Sequence, residues 1–155
     1  MRSSLKKIRG IANYQFGKNA GITLFPEDVE IVYSKSTRRI RFVNLNGKRL
    51  TTLRPTDGLF SISIEAALVL TKKKAAFSCF VNVKNEVSKF ITKGGDVFAV
   101  HIKDANKEIR AQSEVIVLNE DNTVLAVGRA LLSSPEMFAF TKGVAVKVRH
   151  GREES

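Results

Sequence analysis

The sequence holds one cysteine, two histidines and no tryptophan among its 155 residues. A lone Cys79 excludes an internal disulfide. Cys79 with the distant His101 and His150 has no zinc-site spacing either. Cys79 is expected to be a buried, inert thiol, and the histidines structural or surface groups. Without tryptophan, any stacking on nucleic-acid bases falls to Phe, Tyr or His. No apolar run reaches the ~20 residues a membrane-spanning helix needs. The opening MRSSLKKIRGIANYQFG has no apolar signal core. The expectation is a cytoplasmic protein without a membrane partner. Walker, GxGxxG, nucleophile-elbow and zinc-protease patterns are all missing. Asp57, Asp96 and Asp104 are scattered and suit turns. No cofactor, no metal and no independent catalysis are expected.

Acids are scarce in one half only. Residues 1–75 carry fifteen Lys and Arg against five Asp and Glu, or +10, whereas residues 76–155 carry eleven against ten, or +1. At 43% hydrophobic and 26% charged the chain is globular, not disordered. An excess this one-sided points to a polyanion, nucleic acid first. It also suggests two domains with different tasks, at 1–75 and 76–155, with Lys72-Lys73-Lys74 as a solvated linker.

The excess peaks in KSTRRIRFVNLNGKRLTTLR, residues 35–54, which has seven basic side chains and no acid. Asn46-Gly47 marks a two-residue hairpin turn, because such a turn needs positive φ at both centres. Pairing outward from it sets Leu45 against Lys48, Val43 against Leu50, Arg41 against Thr52 and Arg39 against Arg54. Ile40, Phe42 and Leu53 then pack inward at the base of the hairpin, while Arg39, Arg41 and Arg54 face out together. Opposed like charges cost a few tenths to about 1 kcal/mol per pair. Either a local acid elsewhere in the fold or an external anion would relieve them, and guanidinium forks match phosphate. Arg39, Arg41 and Arg54, with Lys48 and Arg49 near the tip, are therefore candidate RNA-binding residues.

Elsewhere, apolar spacing predicts a helix over 4–16, capped by Ser3 or Ser4 and stopped by Gly17. Strands are expected at 29–34 and 58–64, with a short helix at 65–70. The second half is strand-rich: 79–83, 96–102, 114–119, 123–132 and 144–148. Helical pieces at 85–93 and 134–140 have Asn85 and Ser134 as caps. Short strands at this spacing suggest a small β-barrel. Gly94-Gly95 after Lys93 make either a plain turn or a loop whose backbone N–H groups approach a phosphate. The last strand alternates valines with Lys147 and Arg149, giving one basic face.

The strings KGGDVFAVHI and IRAQSEVIVLNEDNTVLAVGRALLSSPEMFAFTKGVAVKV resemble a PUA domain, an RNA-binding β pseudo-barrel. The family usually has Pro-Gly-Asp where Ala111-Gln112-Ser113 stand, so that turn is expected to differ. NYQFG (13–17), LF (24–25), S-x-S-T-x-x-I-R (34–41), LTTLR (50–54) and DGLFSI (57–62) resemble the domain preceding PUA in archaeal, archaeosine-forming tRNA-guanine transglycosylases. The resemblance implies an α+β protein, a small helix-plus-antiparallel-sheet domain followed by the pseudo-barrel, without the catalytic barrel and its zinc. It implies tRNA binding, with no DNA partner, in an accessory subunit serving a separately encoded catalytic transglycosylase chain. A stand-alone translation factor bound to tRNA or the ribosome is the alternative. The family's tRNA-holding positions correspond here to Lys93, Gly94, Gly95, Lys147 and Arg149, with Arg129 as a further candidate.

Overall fold

A computed structural model describes residues 2–154; Met1 and Ser155, the outermost residues of the two expected domains, lie outside it. The chain divides between Phe77 and Ser78 into two compact units.

The first unit opens with helix α1 (Arg2–Phe16). Of the apolar face expected from helical spacing, Leu5, Ile8, Ala12 and Phe16, the last three are fully buried and Leu5 is half-buried. Ser3 and Ser4 lie within the helix and do not cap it. A second helix, α2 (Ala20–Leu24), was not legible in the sequence. It lies hard against α1, because a Cβ on Gly21 would stand 2.3 Å from the Arg9 carbonyl oxygen. Asn13 accepts the Gly21 N–H at 2.7 Å, which supplies one of the free donors of this short helix.

Strands β1 (Glu30–Tyr33), β2 (Ile40–Leu45), β3 (Lys48–Leu53) and β4 (Phe60–Ile62) form an antiparallel sheet in sequence order. Helix α3 (Ile64–Thr71), capped by Ser63, packs against β3 and β4. Phe60 on the edge strand is held by the Gln15 amide, which donates to its carbonyl and accepts from its N–H, both at 2.8 Å.

The hairpin register differs from the expected one. Leu45 pairs with Lys48 and Asn44 with Arg49, but Val43 pairs with Thr51 and Phe42 with Thr52. Leu50 is the extra residue of a β-bulge, which shifts every later pair by one and exchanges the faces. Val43, Leu50 and Thr51 are therefore the buried positions, whereas Ile40, Phe42 and Leu53, expected to pack on the core, are only half-buried.

The second unit is a six-stranded, nearly closed sheet, as the pseudo-barrel expectation requires. Its strands are β5 (Phe80–Val83), β6 (Val97–Phe98), β7 (Ile102–Ala105), β8 (Glu114–Leu118), β9 (Val124–Ala130) and β10 (Val144–Gly151). The order is β6-β10-β9-β8-β5-β7, with β5 and β8 parallel and the other pairs antiparallel. The single strand expected at 96–102 is instead broken by a 3-10 turn at Ala99–His101. Its halves, β6 and β7, join opposite edges of the sheet, which is what curls it towards closure. Helices α4 (Ser88–Thr92) and α5 (Ser134–Ala139) flank it. Ser133, not Ser134, caps α5 in a reciprocal box with Glu136. The Ser133 N–H and hydroxyl hold the Glu136 carboxyl below its usual range. Asn85 does not cap a helix, but exchanges hydrogen bonds with Glu120, both at 2.9 Å. Gln112, which stands where the PUA resemblance places a glycine, takes a left-handed conformation, φ 79°, of the kind that favours glycine.

Candidate nucleic-acid interface

Four cationic side chains of the first unit, Lys7, Arg39, Arg41 and Arg54, line a cleft of about 720 Å³. Lys7 and Ile11 enter it from α1, and Ser34, Thr37 and Arg39 from the β1–β2 connection. Ile40, Arg41 and Phe42 come from β2, with Thr52 and Leu53 from the far end of β3 and Arg54 from the turn after it. The bulge makes this mixture, because it leaves the apolar residues at the hairpin base half-exposed beside the arginines. Among the described residues no carboxylate lines the cleft.

Its cations differ in how they are held. Arg54 forms a two-pronged pair with Asp57, Nε to Oδ1 at 3.2 Å and Nη2 to Oδ2 at 3.0 Å. Burial raises the Asp57 carboxyl, but the Leu59 N–H and Arg54 outweigh it and hold the group below its usual range. The hairpin thus recruits a local acid for one of its three arginines. Arg39 and Arg41 have no carboxylate within ion-pair distance among the described residues. Arg41 lies 5.0 Å from the Phe42 ring centre and Arg49 only 3.5 Å from it, so the ring carries two cations. Arg49 does not line the cleft, and Lys48 reaches Glu65 at 3.6 Å.

The expected sites of the second unit are more fully engaged. The Gly94 and Gly95 N–H groups donate to Ile91 and Phe90 carbonyls, each at 2.9 Å, closing the end of α4. They are not turned out as a phosphate cradle, and the Glu154 carboxylate sits against Gly94. Arg149 grips Glu114, whose carboxylate is fully buried, by donating from both terminal guanidinium nitrogens, Nη1 and Nη2. It therefore serves first as the partner of an interior charge. Lys147 pairs with Asp96 at 3.3 Å but keeps 61% of its side chain exposed. Arg129, exposed on β9, lies between Glu114 and Lys147 in the cross-strand row. Lys93 is exposed beside the loop.

Three features escaped the sequence reading. Lys7 and Ile11 belong to the cleft, although nothing in their spacing separates them from other helix-surface residues. Tyr14 is 84% exposed on the same stripe of α1, three residues beyond Ile11. In the second unit Phe98, Val100, Phe138 and Phe140 are exposed, with His101 edge-on to Phe98. Cys79 is buried, and that burial followed by the Glu114 charge pushes its thiol far above the usual range. No cluster of potential metal ligands occurs among the described residues, and no described helix is long and apolar enough to cross a membrane.

Residues 6–76 match the family model of the patch-forming domain C2 of tRNA-guanine transglycosylase, and residues 80–152 that of the PUA domain. Among curated proteins, the tRNA-guanine(15) transglycosylase of Pyrococcus furiosus is 42% identical over 95% of this chain and 25% of its own length. That of Methanothermobacter thermautotrophicus is 40% identical over 95% of this chain and 22% of its own length. The chain thus spans about a quarter of these relatives, their C-terminal, non-catalytic part. Among solved structures, a hypothetical protein of Pyrococcus horikoshii superimposes with a TM-score of 0.78 at 25% identity, over 100% of this chain and 93% of that one.

Proposed function

This chain is a PUA-domain protein carrying the C2–PUA pair of archaeal tRNA-guanine transglycosylases, and from that premise we propose that it holds tRNA for a transglycosylase active site on another chain. The observation that carries the reading is the cleft of the first unit, where, among the described residues, no carboxylate joins the lining and Arg39 and Arg41 stand without carboxylate partners beside Lys7 and Arg54. Guanidinium groups left this way are ready for phosphate oxygens, and contacts of that kind fix position without reading sequence. The C2–PUA match supports tRNA as the RNA. The Pyrococcus horikoshii structure shares the fold of both units of this chain.

The test is to purify the protein from its native cells and identify what travels with it, then to assay base exchange on tRNA. A transglycosylase-like chain in the complex is expected, with no exchange by this protein alone and exchange restored by the partner. Turnover without a partner overturns the accessory role, and a ribosomal subunit in its place favours a translation factor.

A further inference from the structure

Four cations at the first-unit cleft account for a phosphate, but not for the apolar residues between them. Ile11, Ile40, Phe42 and Leu53 line the same cavity, and Ser34, Thr37 and Thr52 add hydroxyls. A duplex backbone alone has no use for a greasy recess. The volume, about 720 Å³, lies inside the range of roughly 300–1,000 Å³ typical of small-ligand sites. Apolar side chains and cations in one lining, with no carboxylate among the described residues that line it, match one chemical object: a planar base joined to a phosphodiester. Tyr14 adds an exposed ring on the same stripe of α1 as Lys7 and Ile11, where a neighbouring base can stack.

We propose that this cleft receives a single unpaired ribonucleotide of the bound RNA, its base against Ile11, Ile40, Phe42 and Leu53 and its flanking phosphates on Arg39, Arg41 and Lys7. The proposal rests on the RNA-binding reading above and narrows it. The site discriminates strandedness: a base held in a duplex cannot enter, whereas one in a loop or at an end can.

The experiment uses the full chain with three probes: octauridine containing one 4-thiouridine, a short RNA duplex and whole tRNA. Thr52→Trp, chosen because Thr52 faces the cleft at its half-buried edge, places an indole in the recess. Octauridine binding should weaken about tenfold, and by clearly more than duplex binding does. The double variant Arg39→Gln/Arg41→Gln should weaken both. Independently of any variant, the 4-thiouridine crosslink on the native chain should map to residues 40–54 or to α1. Unchanged octauridine affinity in Thr52→Trp, or crosslinks confined to residues 78–154, overturns the proposal. Binding of tRNA without binding of octauridine removes the cleft assignment and leaves the tRNA reading standing. Binding of neither removes both.

Discussion

Arg149 shows how far a residue's charge can mislead about its task. The alternation of the last strand places it on a basic face, and a charge count assigns it to solvent. Its guanidinium instead holds Glu114, a carboxylate with no exposure. Removing one member of such a pair leaves a buried charge uncompensated, at a cost of about 3–5 kcal/mol. Arg149 keeps 31% of its side chain exposed, so the lower end applies. Arg149→Gln should therefore destabilise the second unit by about 3 kcal/mol, read as a shift of the urea midpoint. RNA affinity measured below that midpoint should hardly change. A stable variant with weakened binding would return Arg149 to the interface. The partnership was illegible because Glu114 lies 35 positions away, and neither residue advertises burial. Cys79, by contrast, was legible, since a lone thiol in an apolar run is a small hydrophobe.

At the level of elements, periodicity located most strands and helices but not their breaks. The inner face of α1 was readable from Ile8, Ala12 and Phe16. The NYQFG string now has a physical account in four of its residues. Asn13 serves α2, Gln15 clamps the edge strand β4, Phe16 fills the core and Gly17 turns the chain with φ 123°. Tyr14 is left for the surface. The hairpin tip was readable because the Asn-Gly turn is local. The bulge at Leu50 was not, because the burial of Val43, Leu50 and Thr51 against the helices decides it, and that is tertiary. The break within 96–102 was hidden for the same reason, since closing the sheet overrides an unbroken apolar pattern. Helix α2 was missed because five residues carry little periodicity. Its closeness to α1 rests on Gly21, where a methyl group would overlap the Arg9 backbone, which no side-chain rotation can relieve. Gly21→Ala should therefore force the two helices apart and lower stability by about 3 kcal/mol, measurable by thermal denaturation. A loss under 0.5 kcal/mol would mean that α2 shifts freely.

Across the whole chain the charge asymmetry becomes a statement about where RNA phosphates are met. The first half carries +10 and the second +1, and the structure sharpens that contrast. In the second unit Arg149 and Lys147 have carboxylate partners, so a phosphate must compete for them. In the first, Arg39 and Arg41 have none among the described residues, and Arg54 alone of the three hairpin arginines is tied down. Counterion release makes this measurable, because each phosphate contact contributes about 0.9 to the log–log salt slope on duplex and about 0.7 on single strands. The double variant Arg39→Gln/Arg41→Gln should lower the tRNA slope by roughly 1.4–1.8, the sum of two such contacts. Lys147→Gln should lower it by less than one contact, because Asp96 already neutralises that ammonium. Equal reductions in the two variants would place phosphate contacts on both units. An unchanged slope in the double variant would reject the hairpin base as a phosphate site, whatever its effect on affinity at a single salt concentration.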